Sequence, residues 1–202
     1  MHRICCVSLT QENHSPAQTM WWSEAEIAKR QEKVRLRDVI LPRPVGGLWH
    51  TTRLDRFQEI VATGAILPEP NVPDSERWNA AAGRKFYPYA RFIGGVSLFD
   101  FEGLDRDAYA KRCPMSQWET FVPFRGEWKS AVWIEIDRSR LASHFISGTD
   151  LWQHYLSSPS KSHNIMPFIE ADHLGPLPCK VFAWSFVVSE GDPDWRLLEQ
   201  TQ

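Results

Sequence analysis

The stretch from Leu48 to Pro68 constrains the fold more than any other part of the chain. Leu54, Phe57, Ile60 and Val61 recur at the three- and four-residue spacing of a buried helical stripe. Gly64 stands where a left-handed C-terminal cap belongs. The short apolar run around Leu48 and Trp49 precedes this helix, and Ala65 to Leu67 follows it. The reading is a strand, a polar tip, a helix and a return strand. His50, Thr51 and Thr52 then sit where a strand meets a helix start. Such a junction offers directional donors and acceptors beside exposed backbone N–H groups, and it suits a ribose.

The flanking pattern predicts a mixed α+β protein. Ser23 with Glu26 forms a capping-box signature, and residues 24–39 lack Gly and Pro, which predicts a helix ending before the linker-like Pro42–Gly47. The expected organisation is an N-terminal arm and helix over 1–45 and a main domain over 46–202. Lys29, Arg30, Lys33, Arg35 and Arg37 read as a solvated face with salt-bridge partners nearby, or alternatively as a phosphate-contacting patch. Residues 69–90 are too long for a simple connection, so a lid or functional loop is expected there. Strands are expected at 91–101, entered through Gly94 and Gly95, at 130–137, at 166–172 and at 181–188. A short helix is expected over 105–112, a turn of helix at 138–141, and mostly loop or short helix over 143–164.

With 202 residues the chain has room for one full core, and its ten Trp and eleven Phe imply that large rings supply much of the buried area. A formal net charge of −2 gives no global pull toward nucleic acid or an anionic membrane. Cys5, Cys6, Cys113 and Cys179 form no Cys-x-x-Cys pair and no disulfide framework, polar Thr10–Asn13 interrupts any secretory signal, and no window reaches membrane-spanning length. A reduced, cytoplasmic protein is the expectation.

Three segments together resemble the ADP-ribosyltransferase superfamily. Leu48–Thr52 through Leu67 is similar to its opening strand, helix, Gly and apolar return. Val96-Ser97-Leu98 resembles the middle strand, and Pro167-Phe168-Ile169-Glu170, with Leu177-Pro178 downstream, resembles the late strand with the catalytic Glu. The likeness covers residues 46–190 in order of elements. It implies a split β-sheet core and an NAD-dependent mono-ADP-ribosyltransferase of toxin, effector or phage-defence type, with NAD consumed as substrate and an unidentified protein or nucleic-acid acceptor. It implies Glu170 as the catalytic residue, with His50, Thr51, Thr52 and Ser97 binding NAD. Trp49, Tyr87, Tyr89 or Phe92 would stack on nicotinamide.

The chemistry suits one carboxylate. The ribose–nicotinamide bond breaks through an oxocarbenium-like state, as in glycosyl chemistry generally. Nicotinamide departs neutral, so no general acid is needed, and one carboxylate can stabilise the developing positive charge.

The pattern also departs from the family. Arginine-modifying members carry an acidic or amide residue two positions before the catalytic Glu, where Phe168 stands here. That points away from arginine and toward a hydroxyl, a base or simple NAD hydrolysis. The family's familiar Tyr is not evident. Arg53, Arg56 and Arg91 raise the RNA 2′-phosphotransferase branch, whose sites combine several Arg with a His. Glu135 competes with Glu170 as the active carboxylate. His144, His154, His163 and His173 are too widely spaced for a compact zinc motif, so no metal is expected. The rival from another class is a non-catalytic binding module that keeps the fold and presents its basic helix and Trp-rich surface to a protein or nucleic acid.

Overall fold

The computed structural model describes residues 23–116, 118–125, 128–141 and 144–198, and the expected N-terminal arm over 1–20, with Cys5 and Cys6, lies outside them. The first helix, α1, runs Glu24–Ile40 and opens with the expected capping box: the Ser23 hydroxyl accepts from Glu26 N–H while the Glu26 carboxylate accepts from Ser23 N–H. Its basic side is engaged with the rest of the protein. Arg35 pairs with Glu32 and donates to the Pro193 and Asp192 carbonyls, and Lys33 lies over the Phe124 ring. Leu36 and Ile40 enter the same core as the sheet.

Then follow β1 (Leu48–Thr52), α2 (Leu54–Thr63) and β2 (Ala65–Ile66), as the Leu48–Pro68 pattern requires. Gly64 adopts φ +76° and its N–H caps the Ile60 carbonyl at 2.9 Å. Leu54, Phe57 and Ile60 pack inward, but Val61 is exposed, so the buried stripe is one residue narrower than its spacing implies.

A single helical turn, α3 (Tyr89–Phe92), leads into β3 (Gly95–Asp100). The strand is therefore shorter than 91–101, because Gly94 at φ +82° turns the chain before pairing begins. The helix α4 (Arg106–Arg112) precedes β4 (Ser130–Ile136), and β5 (Phe145–Ile146) precedes α5 (Gly148–Ser157). The late strand, β6, is Glu170–Leu174 rather than 166–172. Residues 166–169 form a turn with Phe168 at φ +62°, so extended backbone starts only at Glu170. Then come β7 (Leu177–Pro178), β8 (Phe182–Ser189) and β9 (Arg196–Leu198), the last not marked by the sequence pattern.

The seven-stranded sheet has order β5-β6-β3-β1-β4-β8-β9, every pairing antiparallel, and β2 pairs with β7 apart from it. The protein is thus mixed α+β. One face of the sheet packs aromatic rings, among them Trp49, Phe99, Phe101, Trp133 and Phe186; the other packs mainly aliphatic side chains with Phe57 and Phe182. Among the described residues no helix is long and apolar enough to cross a membrane.

The register of β1 positions the site. Its pairing with β3 covers only Leu48↔Asp100 and Trp49↔Phe99, whereas its pairing with β4 runs from Trp49 to Thr52. Beyond Trp49 and Phe99 the sheet forks, and a cavity opens at the fork.

Candidate functional site

His50 spans the fork. Its Nδ1 lies 3.1 Å from the Ser97 carbonyl oxygen. A carbonyl only accepts, so Nδ1 carries the proton and Nε2 of the neutral ring keeps a lone pair. Burial lowers the His50 pKa, opposed by the bond to Ser97. The ring is therefore neutral at physiological pH.

Ser97 is the hub. Its hydroxyl donates to Glu170 Oε1 at 2.9 Å, and the backbone N–H of Met166 donates to Glu170 Oε2 at the same distance. The Glu170 side chain is fully buried, and burial pushes its pKa up to about 7 against the two hydrogen bonds, which lower it. Directly paired residues share a face of an antiparallel sheet. The Phe99↔Glu170 and Ser97↔Asp172 pairs therefore put Ser97, Glu170 and Asp172 on one face.

Asp172 had no role in the sequence reading. It is 0 % exposed, and neither carboxyl oxygen has a hydrogen-bond partner among the described residues. Burial, with Glu170 as a like-charged neighbour, pushes its pKa up to about 8. Gly95 makes the space for it: a Cβ at Gly95 would stand 2.0 Å from Asp172 Oδ1.

The cavity at the fork has a volume of about 600 Å³, within the range of small-molecule sites. His50, Thr51, Thr52 and Ser97 line it together. Glu170 does not. It lies behind Ser97 and Met166, which both line the cavity and both hydrogen-bond its carboxylate. The Thr51 hydroxyl is buried and has no partner among the described residues. Such an orphaned group costs about 1–3 kcal/mol unless something binds it.

The expected stacking residues lie elsewhere. Trp49 is wholly buried in the core, donating to the Pro44 carbonyl. Tyr89 packs in the interior against Tyr155 and Phe92. The Tyr87 hydroxyl donates to Asp74, and its ring lies under the Arg91 guanidinium. Phe92 stacks on His163. The rings that do face the cavity are Trp78, Phe99, Phe121 and Trp128. Trp78 lies in the long 69–90 segment, whose length was the available signal; Trp128 follows Arg125 with nothing in the sequence to distinguish it.

Five arginines also line the cavity: Arg53, Arg56, Arg77, Arg91 and Arg125. Four are held by carboxylates. Arg53 pairs with Asp55, Arg56 with Glu59 and Glu76, Arg77 with Glu69, and Arg91 with Glu69 and Asp74. Arg125 has no ion-pair or side-chain hydrogen-bond partner among the described residues, and burial lowers its pKa. A partly desolvated guanidinium without an acid suits an arriving anion.

The remaining candidates are engaged structurally. The Glu135 carboxylate accepts from the Trp184 indole N–H. His154 meets the Tyr89 hydroxyl, and His163 bonds the Tyr87 carbonyl. Only His144 and His173 approach each other, at 6.1 Å between rings. Among the described residues no group of three or more His, Cys, Asp or Glu could hold a metal ion. Compared with protein-family models and with curated proteins, the chain matches none.

Proposed function

We propose that the protein consumes NAD as substrate, breaking its nicotinamide–ribose bond and transferring ADP-ribose to a macromolecular acceptor. The observation that carries this reading is the connected set at the fork: the His50 ring on the Ser97 carbonyl, and the Ser97 hydroxyl on Glu170. Two groups support the fit of a dinucleotide. The Thr51 hydroxyl has no partner among the described residues, and Arg125, which has no carboxylate partner among them, offers a positive charge for a pyrophosphate.

In this reading His50 Nε2 accepts from a ribose hydroxyl. Ser97 turns its oxygen lone pairs to the ribose while its proton is committed to Glu170, so the charge of the buried carboxylate reaches the sugar at one remove. That stabilises an oxocarbenium-like centre. An acceptor nitrogen or oxygen gives an electron pair to ribose C1. The C1–nicotinamide bond breaks with its pair going to the ring nitrogen, and the acceptor's proton leaves to water. Ser97 is the catalytic contact and Glu170 acts through it. The four paired arginines fit this cavity as a braced wall, which weakens the 2′-phosphotransferase alternative.

The test is nicotinamide release from NAD by the purified protein, compared with Ser97→Ala and Glu170→Gln. Release by the unaltered chain and its loss in both variants support the proposal. No release with any protein or nucleic-acid acceptor sinks it, and a binding-module role is then the better account.

A further inference from the structure

A second cavity of about 580 Å³ adjoins the first, and Trp78 and Met166 line both. Its other walls are unlike those of the first. Trp152 and Phe168 meet at an angle of 53° with ring centroids 5.8 Å apart, Trp152 stacks on Tyr155, and Arg112 lies 3.7 Å over the Phe168 ring. Among the described residues no Asp or Glu lines this space, and Arg112 has no carboxylate partner. Asn164 supplies an amide at the rim.

The turn that carries Phe168 is strained and clamped. A φ of +62° is rarely adopted by an aromatic residue. Gly148, at the start of α5, lets the Phe168 carbonyl approach so closely that a Cβ there would stand 2.3 Å from it. Strain persists where the surroundings over-determine it, as at ligand clamps. The same turn supplies the Met166 N–H bonded to Glu170, so the aromatic slot and the buried carboxylate hang on one backbone segment.

We propose that this second cavity is an acceptor subsite for a single-stranded polynucleotide, with one base held among Trp78, Trp152 and Phe168 and a phosphate on Arg112. Aromatic rings beside an exposed guanidinium, with no Asp or Glu among the described lining residues, match a base and its phosphate. The base must be out of a duplex stack to enter. The assignment rests on the NAD-consuming reading for its place in a transfer reaction, but binding itself does not.

The experiment therefore separates the two. Short single-stranded DNA and RNA oligonucleotides are titrated without NAD, following tryptophan fluorescence and anisotropy, while nicotinamide release is measured separately on the unaltered protein. The expected result is salt-sensitive binding weakened about tenfold by Trp152→Ala and by Arg112→Ala. Arg112 is exposed, so its replacement keeps the fold in place if the Trp152 variant does not. Absence of oligonucleotide binding, or binding indifferent to both substitutions, overturns the acceptor assignment, even where nicotinamide release proceeds. Binding without release leaves a polynucleotide-binding subsite and removes the NAD reading together with the acceptor role.

Discussion

The two arms of the forked sheet bury different chemistry. On one arm, β4 and β8 interlock over seven residue pairs, and the residues they hide include Val132, Trp133, Phe186 and Val188. On the other, β3 and β6 interlock over five pairs and hide two carboxyl groups, Glu170 and Asp172. Hydrocarbon burial stabilises by about 25 cal/mol per Å², whereas a buried charge is costly unless paired. The first arm pins the architecture. The second carries groups that weaken the fold, and one of them, Glu170, is the carboxylate that the proposed reaction uses through Ser97.

The largest contrast comes from Trp133→Ala on the first arm. It should cost about 3–5 kcal/mol in denaturant unfolding, since it opens a void among stacked rings. On the second arm, Glu170→Gln should keep the fold and lower nicotinamide release by about a hundredfold or more. Equal losses of stability in these two variants would break the contrast.

The two carboxyls also make stability pH-dependent. Both protonate more readily in the folded than in the unfolded state, with folded values of about 7 and about 8. Where both states are protonated, below about pH 4, there is no penalty. As pH rises the unfolded carboxyls ionise first, and stability falls until both folded groups are ionised, above about pH 8. Thermal melting should show the highest Tm in weak acid and a decline through neutrality, flattened in Asp172→Asn. A Tm that rises over this range would contradict the burial of these groups.

A smaller effect sharpens the same comparison. Gly95→Ala should cost about 1–3 kcal/mol through collision with Asp172, and Asp172→Ala should recover part of it in the double variant. Additive losses would show that the collision is not the cause. The smallest effect is expected at Arg56→Ala, within about 1 kcal/mol by urea unfolding, because its ion pairs with Glu59 and Glu76 are solvent-facing.

Local pattern carried part of this. The Ser23–Glu26 box and the α2 stripe ending at Gly64 were legible because caps and helical periodicity act within a few residues. His50, Thr51 and Thr52 were legible as polar residues at a strand end and Ser97 through the resemblance of its strand, and the four line one cavity. The stacking residues were not. Nothing local distinguishes Trp49, which the core swallows, from Trp78 and Trp128, which face the cavity. The turn at Phe168 escaped for the same reason, since its left-handed backbone lies against Gly148, some twenty positions away in the chain.

The sequence by itself determined α1, α2 and α4 to within a residue or two and the mixed α+β class, because propensity, capping and periodicity depend on near neighbours. Only the tertiary structure decided that β1 leaves β3 after two pairs, that Ser97 stands between the cavity and Glu170, and that Asp172 is buried with no hydrogen-bond partner for its carboxyl among the described residues. Those facts depend on register and on contacts between residues tens of positions apart, and no local preference encodes them.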